Sequence, residues 1–269
     1  MVNTQLIYGL MIAFCIGSIA AYIGSLMLTK RATLMAGALG HLTFPGIAIA
    51  LRYHFDIYIG AVAVLIIGIT IIWFLEKETA IPVEAVTAII FTSSTSLAFL
   101  FLPEHSFETA LLGNIANLSG TVTILTLASA LISLGIVHYI FKPLILMSIS
   151  TGIAQSCGYS VQKYNFIYLT LIALIVVLSI RIVGGLMTVA LIAIPASTSR
   201  NVSSNLQQYR FLSVTIGALS CLIGFLISFT YTISIGPAVI LSNSFLFFIS
   251  LVIHFFVPHS INFNATIRK

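Results

Sequence analysis

Residues 6–28 read LIYGLMIAFCIGSIAAYIGSLML and contain no charged side chain. An α-helix of this length, at about 1.5 Å per residue, crosses a hydrocarbon layer of roughly 30 Å. Similar apolar runs recur along the 269 residues, of which 59% are hydrophobic and 6% are charged, whereas about 25% are charged in an average soluble domain. The sequence therefore predicts an all-α, polytopic transmembrane bundle that forms one domain over residues 1–269.

Nine spans are predicted, near residues 6–28, 33–51, 57–75, 84–102, 120–141, 164–181, 183–198, 210–231 and 236–256. If the N-terminus is outside and the C-terminus is cytoplasmic, nine of the eleven Lys and Arg residues lie in inner loops. This is the bias that multi-pass proteins of the cytoplasmic membrane show. An eight-span alternative joins residues 164–198 into one long kinked helix and places Arg200, Arg268 and Lys269 outside.

The charge distribution excludes several function classes. The net charge is +5, but the basic residues are scattered at the ends of apolar runs and form no face for nucleic acid. Membrane lipid is the expected surrounding of the chain. No carboxylates cluster within a span, which argues against an intramembrane enzyme that holds Mg²⁺ and diphosphate. Cys15, Cys157 and Cys221 are far apart in the sequence, so neither a disulfide framework nor a zinc knuckle is indicated.

One histidine, His41, lies within the second apolar run, in the stretch GALGHLTFPG of residues 37–46. An ionisable side chain at membrane depth is a candidate functional residue by default. Pro45 has no N–H to donate to the carbonyl of His41, so a helix break is expected there, and Pro195 is expected to break a later span in the same way. Imidazole is a good ligand for zinc, manganese or iron. His41 is thus a candidate metal ligand, with a role as a packing histidine as the alternative.

Two loops differ from the others. Residues 142–163 are longer and more polar than the neighbouring inner loops, and they predict a short cytoplasmic surface helix near residues 148–160. The outer loop from Pro103 to Ser119 contains Glu104, His105 and Glu108 but no Lys or Arg. Its field is expected to draw cations towards the outer mouth, with an ordinary solvated loop as the alternative.

Five segments in this order resemble the membrane permease family of the bacterial zinc, manganese and iron uptake ABC transporters. They are GALGHLTFPGIAIAL (37–51), IPVEAVTAIIFTSS (81–94), LLGNIANLS (111–119), SIRIVGGLMTVALIAIPASTSR (179–200) and ISIGPAVIL (233–241). Each motif alone is weak because small apolar residues recur by chance, but five in order identify the family.

The resemblance implies a type II-importer-like permease that works as a dimer with a cytoplasmic ATPase and receives a divalent metal ion from an extracytoplasmic binding protein. The family's ATPase-docking helix matches STGIAQSCGYSV (150–161), in which Ala154 and Gly158 take its Ala and Gly positions. The chain has no G-x-x-x-x-G-K-[ST] loop, so ATP hydrolysis is expected in a separate partner and not in this chain. No permanently bound cofactor is expected.

The chain departs from the family pattern at Gly37. The family has an Asp there, four residues before its His and on the same helix face, and where it has an Asp in the third segment this chain has Asn114. Loss of a carboxylate predicts weaker binding of a divalent ion and an altered or lost metal specificity.

Two other classes of function compete with this interpretation. A secondary transporter would need a coupling carboxylate within a span, and Glu84, Glu104 and Glu108 all lie at span ends. An intramembrane serine protease would pair Ser25 with His41, but no elbow motif accompanies that serine.

Overall fold

A computed structural model describes residues 2–30, 32–79, 83–101 and 120–256. All the regular secondary structure in these ranges is helical, as predicted. The helices are α1 (Val2–Thr29), α2 (Thr33–Leu42), α3 (Phe44–Tyr53), α4 (Ile57–Glu78), α5 (Val83–Phe101), α6 (Gly120–Ile149), α7 (Thr151–Ser156), α8 (Val161–Val202), α9 (Leu206–Tyr231) and α10 (Ile235–Phe256).

The helices are long and apolar enough for a polytopic membrane protein. By length and composition, five segments of the described residues can cross a membrane: Leu6–Thr29, Thr123–Ile149, Val161–Ile180, Leu206–Tyr231 and Ile235–Phe256. Helices α4 and α5 contain the shorter apolar stretches Ile59–Leu75 and Ala85–Ala98. Helices α2 and α3 follow one another with a single residue between them, and together they extend about 30 Å.

Helix α1 forms the centre of the bundle and packs against α9, α8 and α6. Its glycines permit this close packing. A Cβ atom at Gly17 would collide with the carbonyl of Gly217, and one at Gly24 would collide with the carbonyl of Ile192. In lipid there is little hydrophobic force between helices, so such backbone-to-backbone contacts supply much of the association energy.

Helix α8 departs from helical geometry at Gly184, not at Pro195. Gly184 has φ 77° and ψ 168°, whereas Pro195 lies inside a helix that continues to Val202. The predicted break at Pro195 is therefore corrected. A proline in a membrane helix removes one N–H without ending the helix, whereas a backbone conformation with this φ and ψ is open essentially to glycine alone.

The bend at Gly184 brings both ends of α8 to the same end of α1. Near its beginning, Asn165 accepts a hydrogen bond from Lys30 Nζ at 3.1 Å. Near its end, Ser199 donates at 2.7 Å to the carbonyl of Tyr209, whose hydroxyl donates to a carbonyl in the last two turns of α1. A straight helix would hold Asn165 and Ser199 about 50 Å apart, so the chain folds back at Gly184.

Basic residues gather where α1 and α6 end and where α8 and α9 begin. We call this region the basic end. Lys30 Nζ lies 4.6 Å from the centre of the Tyr168 ring, and the guanidinium carbon of Arg210 lies 5.1 Å from the centre of the Phe141 ring. The surface helix α7 follows directly after α6 and packs against it.

Candidate functional site

His41 lies in the last turn of α2, next to the interruption between α2 and α3 at Thr43. Residue 41 is about 12 Å from the beginning of α2 and about 18 Å from the end of α3. Against a hydrocarbon thickness of roughly 30 Å, this is near the middle of the span that the two helices form.

The chain continues in the same direction through Thr43, but its hydrogen bonds there reach back fewer residues than in an α-helix. Thr43 keeps right-handed helical angles, with φ −74° and ψ −21°, and its N–H is directed at the carbonyls of Gly40 and His41. Its hydroxyl also donates to the Gly40 carbonyl at 2.6 Å. Pro45 lies in the first turn of α3, where a missing N–H is tolerated. The carbonyl of His41 receives no bond from residue 45, but the Thr43 N–H satisfies it in part.

The imidazole of His41 lies between two aromatic rings. Its centroid is 4.9 Å from that of Phe44 and 4.6 Å from that of Phe91, both in edge-to-face geometry. The ring is half-buried, and its Nδ1 is buried without a hydrogen-bond partner among the described residues. A buried polar atom of this kind costs free energy unless a partner or a ligand satisfies it.

Three buried hydroxyls lie around the same turn, on α5, α8 and at the junction itself. Ser94 donates to the Leu42 carbonyl at 3.5 Å, and Thr188 donates to the Gly184 carbonyl at 2.8 Å. The hydroxyls of Ser94, Thr188 and Thr43 all donate to a backbone carbonyl. The oxygen of each keeps lone pairs that can accept a hydrogen bond or bind a cation. The surroundings of His41 therefore offer neutral oxygen atoms as possible ligands.

The position of the missing carboxylate, Gly37, faces the second half of α8. A Cβ atom at Gly37 would lie 2.9 Å from Val189 Cγ2. One turn further along, a Cβ at Gly40 would lie 2.8 Å from the Gly185 carbonyl oxygen, and one at Gly185 would lie 2.5 Å from Phe44 Cε1. Helices α2 and α8 thus meet at backbone distance beside His41, with a valine methyl where an acidic side chain would extend.

Within the residues that the structure describes, no group of three His, Cys, Asp or Glu side chains lies close enough to hold a metal ion. Residues 102–119, with Glu104, His105, Glu108 and Asn114, fall outside the described ranges. His41 is therefore the candidate metal ligand whose surroundings can be described.

The predicted surface helix corresponds to α7. The Ser150 side chain caps its first turn by accepting the N–H of Ile153, and Ala154 is its buried residue. At its end, the Tyr159 N–H bonds to the Ala154 carbonyl and the Gly158 N–H bonds to the Gln155 carbonyl, with Gly158 at φ 83°. This pattern is a Schellman motif, which favours glycine at the left-handed position. Ala154 and Gly158 are thus joined in one local structure.

Several residues of the His41 surroundings escaped the sequence analysis. Phe91, Ser94 and Thr188 lie about 50 to 147 residues away from His41 in the sequence, and no periodicity in a uniformly apolar helix indicates which face turns towards it. The Gly184–Gly185 pair inside an apolar run was the one available signal for the bend, since paired glycines weaken a helix.

The sequence profile of the ABC 3 transport family matches residues 3–254. The manganese import system permease protein ScaB of Streptococcus parasanguinis is 26% identical over 248 residues, which cover 91% of this chain and 89% of that protein. The high-affinity zinc uptake system membrane protein ZnuB of Buchnera aphidicola subsp. Baizongia pistaciae is 26% identical over 251 residues, which cover 90% and 95% of the two chains.

A solved structure, PsaBC from Streptococcus pneumoniae in complex with Fab, superposes with a TM-score of 0.78 at 25% identity and covers 90% of this chain and 89% of that one. The profile match extends over nearly all of the described helices, and the fold agrees with it. The chain therefore belongs to the ABC 3 transport family.

Proposed function

We propose that this chain is the permease subunit of an ATP-binding-cassette importer that carries zinc, manganese or iron across the cytoplasmic membrane. Relatives named as manganese and zinc uptake permeases support the class of cargo. The observation that carries the proposal is the buried, unpartnered Nδ1 of His41 at mid-depth of a broken span. Transporters commonly form their ion sites at such discontinuous helices.

In this proposal His41 binds the passing ion transiently. The imidazole supplies a nitrogen ligand, and waters or the neighbouring hydroxyl oxygens complete the coordination. Since Gly37 provides no carboxylate four residues before His41, the affinity for the ion is low. Low affinity suits a transport path, because an ion that is bound too tightly does not leave.

The test compares metal uptake by His41 variants in a strain that lacks other importers. His41→Ala is expected to abolish or sharply reduce uptake while membrane insertion and ATPase association remain. His41→Phe keeps a ring against Phe44 and Phe91 but has no nitrogen, so it is expected to fail in the same way. His138→Ala, at an exposed position on α6 where the ring Nδ1 lies 3.5 Å from the Tyr22 hydroxyl, is the control for the loss of an imidazole elsewhere in the bundle. Normal uptake by the His41→Phe variant would show that His41 serves only in packing.

Helix α7 is proposed to dock into a cytoplasmic ATPase, and the chain itself is not proposed to be an enzyme. Ala154 is buried, whereas Ile153 beside it is 51% exposed and offers an apolar side chain to a partner. Gly158 sets the direction in which the chain leaves the helix. We expect Ile153→Ser to weaken ATPase association, while Ile233→Ser, at an exposed isoleucine in the connection between α9 and α10, leaves it intact. Equal association of both variants would place the docking surface elsewhere.

The proposed assembly contains two permease copies, the ATPase and an extracytoplasmic metal-binding protein. The proposed topology has nine crossings, with the N-terminus outside and the C-terminus inside. Support for nine comes from the fold-back at Gly184, which lets the two halves of α8 cross separately. Purification of the tagged chain from its native membrane tests the class of transporter. An ATPase in the eluate supports the importer, and its reproducible absence under mild conditions favours a secondary transporter.

A further inference from the structure

A cavity of about 350 Å³ lies at the basic end, where α6 ends and α9 begins. It is lined by Phe141, Asn205, Leu206, Gln207 and Arg210. None of these residues contributes to the surroundings of His41 or to α7. The mechanism of metal transport proposed above does not use this cavity.

The cavity contains a cation, Arg210, for which the described residues provide no carboxylate. Arg210 is half-buried, and its guanidinium lies over the Phe141 ring at 5.1 Å. All six Asp and Glu residues of the chain precede residue 109, and no carboxylate in the described ranges pairs with Arg210. A partly buried charge is costly unless an opposite charge and hydrogen bonds compensate it. Arg210 also hydrogen-bonds to Tyr22, which is a neutral partner. A guanidinium has five N–H donors, so donors remain for an external anion, and their planar arrangement matches a phosphate.

The remaining lining residues add hydrogen-bond donors and apolar surface. Asn205 Oδ1 accepts the Gln208 N–H at 2.8 Å, which leaves the amide nitrogen of Asn205 as a donor. Gln207 is exposed at the rim with its own amide, and Leu206 and Phe141 supply apolar walls. A cation, amide donors and apolar walls together suit a phosphate group that is attached to a hydrocarbon body.

The position of Arg210 agrees with the level of lipid head groups. It lies one turn inside the apolar segment Leu206–Tyr231, next to Phe211, which is 68% exposed. Basic pockets between membrane helices at the cytoplasmic surface bind the head groups of anionic lipids. We propose that this cavity binds the phosphate of an anionic phospholipid, in the cytoplasmic leaflet if the proposed topology holds.

The experiment measures lipid binding to the purified permease, in complex with its ATPase, by native mass spectrometry after delipidation. The probes are phosphatidylglycerol, phosphatidylcholine and inorganic phosphate. Arg210→Gln is expected to weaken phosphatidylglycerol binding about tenfold or more, because charge-assisted hydrogen bonds are lost. Lys163→Gln removes one exposed positive charge near the beginning of α8, outside the cavity, and is the matched control. The control is expected to bind like the wild type, and phosphatidylcholine is expected to bind the wild type more weakly.

A second variant tests the same cavity in case the Arg210→Gln protein does not fold. Gln207→Ala changes an exposed rim residue and is expected to weaken phosphatidylglycerol binding severalfold while the helix content stays the same. Unchanged binding by both the Arg210 and the Gln207 variants would overturn the proposal. If inorganic phosphate displaced the lipid at a concentration similar to that of the lipid, the ligand would be free phosphate and the lipid proposal would be wrong.

Loss of the ATPase from the Arg210→Gln complex with lipid binding intact would assign the cavity to the protein partner instead, and would also overturn the lipid proposal. Because lipid binding is measured without metal uptake, failure here is distinguishable from failure of the proposed transport function.

Discussion

The substitution Gly184→Ala tests whether the bend in α8 holds the fold together. An alanine at φ 77° and ψ 168° costs about 1–3 kcal/mol, and alanine favours the unbent helix over glycine by up to about 1 kcal/mol. Both effects act in the same direction, so the bent form loses about 1–4 kcal/mol relative to a straight one. A straight α8 cannot keep the contacts of both Asn165 and Ser199, so the loss appears as reduced stability of the whole bundle.

The assay is denaturant unfolding of the detergent-solubilised protein, followed by circular dichroism. The strain of about 1–3 kcal/mol in the folded state corresponds to a fall of roughly 5- to 150-fold in the ratio of folded to unfolded protein. Gly135→Ala is the matched control, because Gly135 is an exposed glycine of α6 where a Cβ atom meets no neighbour within 4 Å. This control is expected to gain about 0.5–1 kcal/mol. If Gly184→Ala were as stable as Gly135→Ala, the bend would not be required, and the reasoning would be refuted.

Three further predictions concern docking, affinity and topology. Gly158→Ala adds a Cβ atom into open space but at φ 83°, so only backbone strain of about 1 kcal/mol acts. We expect severalfold weaker ATPase association in a pull-down titration. An unchanged affinity would contradict the role of the Schellman motif. Gly37→Asp alone is expected to raise the affinity for Mn²⁺ only slightly. Together with Val189→Ala, which removes the methyl group 2.9 Å from the new Cβ atom, it is expected to raise that affinity clearly. An unchanged Mn²⁺ affinity of the double variant in equilibrium binding would count against His41 as the ligand. Single cysteines at Ser150 and Glu108 are expected to react with an impermeant reagent from opposite sides, Glu108 from outside, and same-side labelling would exclude the proposed orientation.

Most of the helix positions could be predicted from the sequence, because uncharged runs of membrane length have few alternative structures. Helix ends were less predictable. The predicted span 120–141 continues as α6 to Ile149, through Pro143. Apolar residues follow this proline, and neighbouring helices can compensate for the single missing hydrogen bond. A proline in a membrane span is therefore a weaker stop signal than in a soluble helix.

The candidate site was predictable only in part. His41 was found because an imidazole in an apolar run is rare, and a break near Pro45 was expected because proline interferes with the turn that precedes it. The walls of the site were not predictable. Which face of α5 carries Phe91 towards His41, and which glycine bends α8, depends on tertiary packing between uniformly apolar helices. The position of Val189 opposite Gly37 was equally unpredictable, since only the packed structure shows which side chain fills the space that a carboxylate would take.

The contact between Gly40 and Gly185 has a mechanical consequence. Two chain interruptions, at Thr43 and at Gly184, lie side by side there, and neither glycine has a side chain that could rotate to absorb a displacement. Elsewhere in a membrane bundle, rotamer changes dissipate small shifts before they reach the next helix. At this contact the second half of α8 and the turn that carries His41 touch backbone to backbone, so neither can move towards the other without displacing it.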